Sequence, residues 1–159
     1  MIPIIKTLAA FIVTFLVQLY LADFMTVGGI RPDFVLVLLV YISARYGRMT
    51  GILVGFGSGM LQDFAGSFST LGASALAKAI VGYVLGTLNG TMTVWTPRIV
   101  NLYIYGTLMG HAVIYQTVMI QGLQVPPGRL LANIVLEFLL SSIIITAMRY
   151  LIPIMPKRA

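Results

Sequence analysis

The sequence predicts an all-α membrane protein, a bundle of six transmembrane helices that forms one domain over residues 1–159. Hydrophobic residues make up 59% of the chain and charged residues only 9%, whereas a soluble domain carries about 25% charged residues. Short polar breaks separate apolar segments that approach the roughly 20 residues a helix needs to cross a bilayer. Six crossings use up the chain, so any functional site must lie on these helices or in short loops.

The first three predicted helices cover residues 4–22, 34–46 and 49–62. The loop after the first helix contains Gly28 and Gly29, and a turn at Gly47 separates the second helix from the third. At about 1.5 Å of rise per residue, the second and third helices are short for a crossing. A re-entrant pair is the alternative, but it is tolerated only where protein encloses it. We favour two short crossings.

The last three predicted helices cover residues 71–88, 99–120 and 130–152. A small polar stretch at residues 66–70 precedes the fourth helix, and a polar turn containing Trp95 follows it. Tryptophan is enriched at the membrane interface, which places this turn near the bilayer surface. Pro126, Pro127 and Gly128 break the chain before the sixth helix, because proline disrupts a helix interior.

The lysines and arginines predict the orientation, since cytoplasmic loops carry an excess of them. With six crossings and a cytoplasmic N-terminus, two of these residues lie on the outer side, Arg31 and Arg129, and Lys78 lies within a helix. The other seven lie on the inner side: Lys6, Arg45, Arg48, Arg98, Arg149, Lys157 and Arg158. Both termini of this multi-pass protein are therefore predicted to be cytoplasmic.

The predicted topology places four ionisable side chains in one layer of the outer half of the membrane: Asp63, Lys78, His111 and Glu137. Ionisable groups at that depth normally face the bundle interior and pair with one another. We expect Lys78 to be buried and to pair with Asp63 or Glu137. Three interpretations remain open for the group, namely internal ion pairing, contact with a partner helix, and a ligand pocket.

We predict that the protein has no catalytic, metal or cofactor site. The chain has no cysteine and a single histidine, which excludes thiol nucleophiles, Cys-based metal sites and His-rich metal clusters. No nucleophile and base occur at a recognisable spacing. The net charge of +6 comes from scattered residues and forms no basic patch, so we predict no nucleic-acid binding.

Small residues recur every fourth position at Gly51, Gly55 and Gly59, and again at Gly106 and Gly110. Such rows let helix backbones approach closely in lipid, where no hydrophobic force drives helices together. Each row packs either inside the bundle or against a partner's helix. We expect the row at Gly51, Gly55 and Gly59, together with the outer loop Arg31-Pro32-Asp33, to form a partner-binding surface.

A series of short motifs runs through the middle of the chain, over about residues 31–86: Arg31-Pro32-Asp33, Tyr41, Gly55-Phe56, Gly59, Asp63, Gly66-Ser67, Leu71-Gly72, Ala75 and Tyr83. In this stretch the chain specifically resembles the rod shape-determining protein MreD family. It implies a non-enzymatic subunit of the bacterial cell-elongation machinery that binds MreC directly. Through MreC it implies a link to MreB, to the glycosyltransferase RodA and to a penicillin-binding transpeptidase, hence to lateral peptidoglycan synthesis and cell shape.

The resemblance also implies a fold similar to the S-components of ECF vitamin transporters, and this supplies the alternative function. An S-component would use Asp63, Lys78, His111 and Glu137 to bind a small molecule. The context of Asp63 and Leu71-Gly72 favours the MreD family. Neighbouring genes would discriminate the two, since genes for MreB and MreC support one and a transporter ATPase gene supports the other.

Overall fold

A computed structural model describes residues 2–22, 24–65, 71–91, 94–120 and 125–151, with the backbone alone for residues 2–8, 10, 150 and 151. Within these ranges the chain forms α1 (Ile2–Leu21), α2 (Phe34–Tyr46), α3 (Arg48–Ala65), α4 (Ala73–Gly86), α5 (Pro97–Met119) and α6 (Pro127–Leu151). Each helix begins and ends within three residues of its predicted bounds. Gly66, Ser67, Lys157, Arg158 and the side chain of Lys6 lie outside the described part.

The turn between α2 and α3 is a single residue, Gly47. Its φ of +88° belongs to the left-handed region, where a residue with a Cβ is disfavoured. Its amide donates to the carbonyl oxygen of Ser43 at 2.9 Å, which satisfies one of the carbonyls left free at the end of α2. The chain therefore reverses at once, and α3 returns alongside α2.

Helices α3 and α4 form the most extensive contact of the bundle. Gly51 lies against the backbone of Gly82, Gly55 against that of Lys78, and Gly59 against that of Ala75, so closely that a Cβ on any of the three would overlap it. This corrects the expectation that the glycine row receives a partner's helix. Helix α4 of the same chain already occupies that face, because it presents small residues at matching heights.

The two shortest helices lie at the centre of the bundle. Helix α2 contacts α1, α3, α4 and α6, and eight of its 13 residues are buried, so neighbouring helices cover most of its surface. Helix α5 packs against α4 and α6. The resulting core includes Leu36, Leu39, Leu85, Ile104, Leu108 and Ile145.

The outside of the bundle is apolar where a bilayer would surround it. Among the described residues, α6 combines the length and the apolar composition of a membrane span over Pro127–Arg149, while Phe11–Leu21, Phe34–Tyr46 and Ala73–Gly86 are shorter apolar helices. Large hydrophobic side chains such as Leu53, Leu102 and Ile143 are more than half exposed. The six crossings and the cytoplasmic termini stay predictions.

Candidate functional site

Polar side chains collect at one end of the bundle, where α1, α3 and α5 end and α2, α4 and α6 begin. We define the polar cluster as the ionisable residues Asp33, Asp63, Lys78, His111 and Glu137 with the glutamines Gln18, Gln62 and Gln116. All eight border one cavity of about 610 Å³. The four ionisable residues singled out from the sequence are thus brought together in the same place.

Lys78 is buried at 1% exposure, and its charge is balanced by Asp33. The Lys78 Nζ lies 2.5 Å from Asp33 Oδ2, and the same ammonium donates to Gln62 Oε1. Burial by itself would raise the pKa of the Asp33 carboxyl, but the charge of Lys78, with a smaller contribution from His111, lowers this pKa below its usual range. The expectation that Lys78 is buried is confirmed. The expectation that it pairs with Asp63 or Glu137 is wrong, because it pairs with Asp33.

The partner differs because Asp33 reaches α4 from the first turn of α2. Its Oδ1 accepts from the amide of Leu36 at 2.9 Å and caps α2, which leaves Oδ2 free to face Lys78. Sequence reasoning placed Asp33 in an outer loop. It therefore overlooked that the cap of one central helix lies beside the other.

Asp63 is held by the start of α4. Its carboxylate accepts from the amides of Gly72 at 2.9 Å, Ser74 at 3.2 Å and Ala75 at 3.3 Å. Backbone N–H groups and the helix dipole at this position favour a negative charge. Asp63 therefore satisfies its charge through backbone donors and does not pair with Lys78.

His111, Gln116 and Glu137 form the other half of the polar cluster, between α5 and α6. Gln116 Nε2 donates to Glu137 Oε2 at 2.5 Å, and His111 Nδ1 lies 3.2 Å from Glu137 Oε1. The imidazole stacks on Tyr115 with ring centres 5.8 Å apart. His111 is 2% exposed, yet neither ring nitrogen has a hydrogen-bond partner among the described residues.

The loop Arg31-Pro32-Asp33 is attached to α1 through Gln18. Gln18 Nε2 donates to the Pro32 carbonyl at 3.0 Å, and the amide of Phe34 donates to Gln18 Oε1 at 2.7 Å. Pro32 is buried and Asp33 points inward, while Arg31 is exposed at the rim of the cavity. Pro32 therefore has little surface to offer a partner, and partner binding by this loop stays a prediction.

The three glutamines were not predicted from the sequence. Each lies in an apolar helix, and each holds a neighbouring element: Gln18 the outer loop, Gln62 the Lys78 ammonium, and Gln116 the Glu137 carboxylate. The sequence signal for them is a polar side chain within an apolar helix, which normally faces the bundle interior. The charged residues were predicted from this same signal. Extending that rule from charged residues to amides would have found them.

A second feature, the α4–α5 groove, opens on the outside of the bundle. It has a volume of about 490 Å³ and an apolar lining that includes Ile80, Val84, Trp95, Leu102, Tyr103, Gly106 and Gly110. A Cβ added at Gly106 or Gly110 would meet no described atom within 4 Å. Trp95 packs edge-on against Tyr103, with ring centres 5.6 Å apart, at one end of the groove. His111 borders both this groove and the polar cavity.

The polar cavity and the α4–α5 groove both offer space for a ligand or a partner. In the part of the chain that the structure describes, no group of three or more His, Cys, Asp or Glu residues is placed to hold a metal ion. The carboxylates of Asp33 and Asp63 already accept two or more hydrogen bonds or ion-pair contacts each. The arrangement offers a polar cavity on one side of α5 and an apolar groove beside it.

The fold and these two features define a small helical membrane protein with an internal polar cluster. The family model of the rod shape-determining protein MreD matches residues 1–155, and the chain therefore belongs to the MreD family. Members of this membrane-protein family determine cell shape. No curated protein and no solved structure gave a significant match. The predicted similarity to ECF S-components stays a prediction.

Proposed function

We propose that this protein is a non-enzymatic, six-span subunit of the bacterial inner membrane that binds MreC. Through MreC it connects MreB filaments with RodA and its penicillin-binding transpeptidase, and so regulates lateral peptidoglycan synthesis. Membership of the MreD family supports the role in rod shape, and the binding chemistry described above agrees with a subunit that holds partners. The observation that supports a contact with MreC is the open α4–α5 groove.

The family resemblance implies that the partner, MreC, is a bitopic protein. It crosses the membrane once and can therefore contact this protein through a single transmembrane helix. The α4–α5 groove suits one helix, because it presents Gly106 and Gly110 on the same face of α5 with no described atom above them. In α5 the groove follows residues from Ile99 to Ile114, which is about 22 Å at 1.5 Å per residue. Small residues on such a face allow the close backbone approach by which helices associate in lipid.

The test is co-purification with MreC from a membrane that contains both proteins. Replacing Gly106 and Gly110 with leucine fills the groove, and we expect MreC to be lost while the variant keeps the wild-type melting temperature. Gly57→Leu is the matched control, since Gly57 on α3 is also exposed and has no described neighbour within 4 Å. Normal recovery of MreC with the double leucine variant would exclude this groove. Equal loss with Gly57→Leu would make the effect unspecific.

A further inference from the structure

The charged side chains of the described residues are separated between the two ends of the bundle. The three carboxylates, Asp33, Asp63 and Glu137, all border the polar cavity. The opposite end, where α2, α4 and α6 end and α3 and α5 begin, carries four arginines, which we call the basic end: Arg45, Arg48, Arg98 and Arg149. Among the described residues, no carboxylate lies at the basic end to balance its charge.

The four arginines are scattered in the sequence, but the fold groups them into two pairs. Arg45 and Arg48 flank the one-residue turn between α2 and α3. Arg149, in the last turn of α6, donates from its guanidinium to Asn101 Oδ1 at 2.6 Å. Arg98 precedes Asn101 by three residues and therefore projects from the same face of α5. Each pair concentrates two positive charges at one place on the basic end.

The contacts of these arginines within the chain leave their charge unbalanced. Arg45, Arg48 and Arg98 are exposed. The guanidinium of Arg48 lies over the ring of Tyr83, 5.6 Å from its centre, and the acceptor of Arg149 is a neutral amide. A guanidinium presents a planar set of N–H donors that matches the oxygen atoms of a phosphate group. The basic end therefore suits an anionic partner that carries phosphate.

Exposed apolar and aromatic side chains lie directly beside these arginines. Met49 follows Arg48, Leu102 lies one turn after Arg98, and both are more than two-thirds exposed. Tyr83, next to Arg48, is about half exposed. Tyrosine is enriched at membrane interfaces, and arginines next to a lipid-facing surface extend their charge to the headgroups. In a six-span arrangement, the guanidinium groups therefore lie at the level of the lipid phosphates.

We propose that the basic end binds anionic phospholipids, whose phosphate groups accept from the paired arginines while their acyl chains cover the neighbouring apolar side chains. Such a lipid matches both the unbalanced positive charge and the exposed apolar surface, whereas a free phosphate or an acidic protein surface matches the charge alone. The proposal rests on the six-span arrangement proposed above and not on MreC. The test below contains no MreC, so its failure leaves the MreC contact standing.

The single tryptophan of the chain, Trp95, reports on lipids at this end, because it precedes Arg98 by three residues. The full-length protein is reconstituted in phosphatidylcholine vesicles that contain brominated phosphatidylglycerol or brominated phosphatidylcholine with the same acyl chains. Bromine quenches tryptophan fluorescence on contact. We expect phosphatidylglycerol to be preferred about fivefold or more, and high salt to weaken this preference by screening. Equal quenching by the two lipids would overturn the proposal and leave the basic end to an acidic protein.

A charge-removing variant ties the preference to the basic end. Arg98→Gln should reduce the preference for phosphatidylglycerol to about twofold or less. Arg129→Gln is the matched control, since Arg129 is an exposed arginine at the opposite end of the bundle, and it should keep the wild-type preference. Glycerol phosphate added to the buffer, which has the anionic group without acyl chains, should not relieve the quenching. An equal effect of the two substitutions, or relief by glycerol phosphate, contradicts the proposal. If Arg98→Gln does not fold, the comparison of the two lipids with the wild type decides.

Discussion

Two rows of small residues with the same four-residue spacing have opposite surroundings in this molecule. The row Gly51, Gly55, Gly59 on α3 is sealed against α4, whereas the row Gly106, Gly110 on α5 stays open at the α4–α5 groove. The difference comes from the opposing helix. Helix α4 meets α3 with Gly82 and Ala75, which allow backbone contact, but borders the groove with the branched side chains of Ile80 and Val84. The four-residue spacing therefore predicts that a helix face allows close packing, but it does not predict which helix packs against that face.

The largest effect is expected when a large side chain is introduced into the sealed row on α3. Gly55→Leu would drive its side chain into the backbone of Lys78, and backbone cannot yield as a flexible side chain can. We expect the folded protein to be lost, with destabilisation above about 3 kcal/mol, the upper range for overpacking. Size-exclusion chromatography and thermal unfolding in detergent measure this. Gly57→Leu on the same helix is the control, and a melting temperature for Gly55→Leu equal to that of Gly57→Leu would refute the sealed packing.

The next effect concerns the buried ion pair between the two central helices. Lys78→Met leaves Asp33 buried without its cation, and we expect a loss of about 3–5 kcal/mol in the free energy of unfolding. Asp33→Asn added to Lys78→Met should recover part of this loss, because asparagine still caps α2 and leaves no unpaired charge. Glu137→Gln added instead should recover nothing. Recovery with Glu137→Gln and not with Asp33→Asn would reassign the partner of Lys78.

A smaller loss is expected at the start of α4, beside the sealed row. Asp63→Ala removes an acceptor for three backbone amides, and we expect about 1–2 kcal/mol of destabilisation, in the range of a lost N-terminal cap. Asp63→Asn should cost less, since its side-chain oxygen still accepts. The midpoint of thermal or denaturant unfolding measures both variants. Equal stability of Asp63→Ala and the wild type would mean that the cap contributes nothing.

The smallest perturbation tests which end of the bundle faces outward. The chain has no cysteine, so single cysteines at Phe24 and at Val94, which are 88% and 79% exposed at opposite ends, should not disturb the fold. An impermeant thiol reagent added to intact cells that lack an outer-membrane barrier should label Phe24→Cys and not Val94→Cys. Labelling of Val94→Cys alone would invert the topology. Labelling of both would exclude the six-span arrangement.

Particular residues show how far sequence reasoning reaches into the polar cluster. Asp63, Lys78, His111 and Glu137 were placed in one layer from their depth along the predicted helices, and they border one cavity. Depth follows from counting residues at a fixed rise per residue. Pairing does not, because it depends on how each helix is rotated about its axis, and Lys78 consequently turned out to face Asp33.

The sequence by itself determined the six helices, since runs of apolar residues and their Gly, Pro and polar breaks are local signals. It also determined that the ionisable side chains share one end of the bundle. Only the tertiary structure decided which face of each helix meets which neighbour. Helix α2 is covered on most sides, and α3 and α5 both carry rows of small residues, so the four-residue spacing does not distinguish the row that is sealed from the row that is open. In such a bundle, the fit between opposing side chains decides which helices pack together. That fit depends on both helices of a pair, so the sequence of one helix does not determine it.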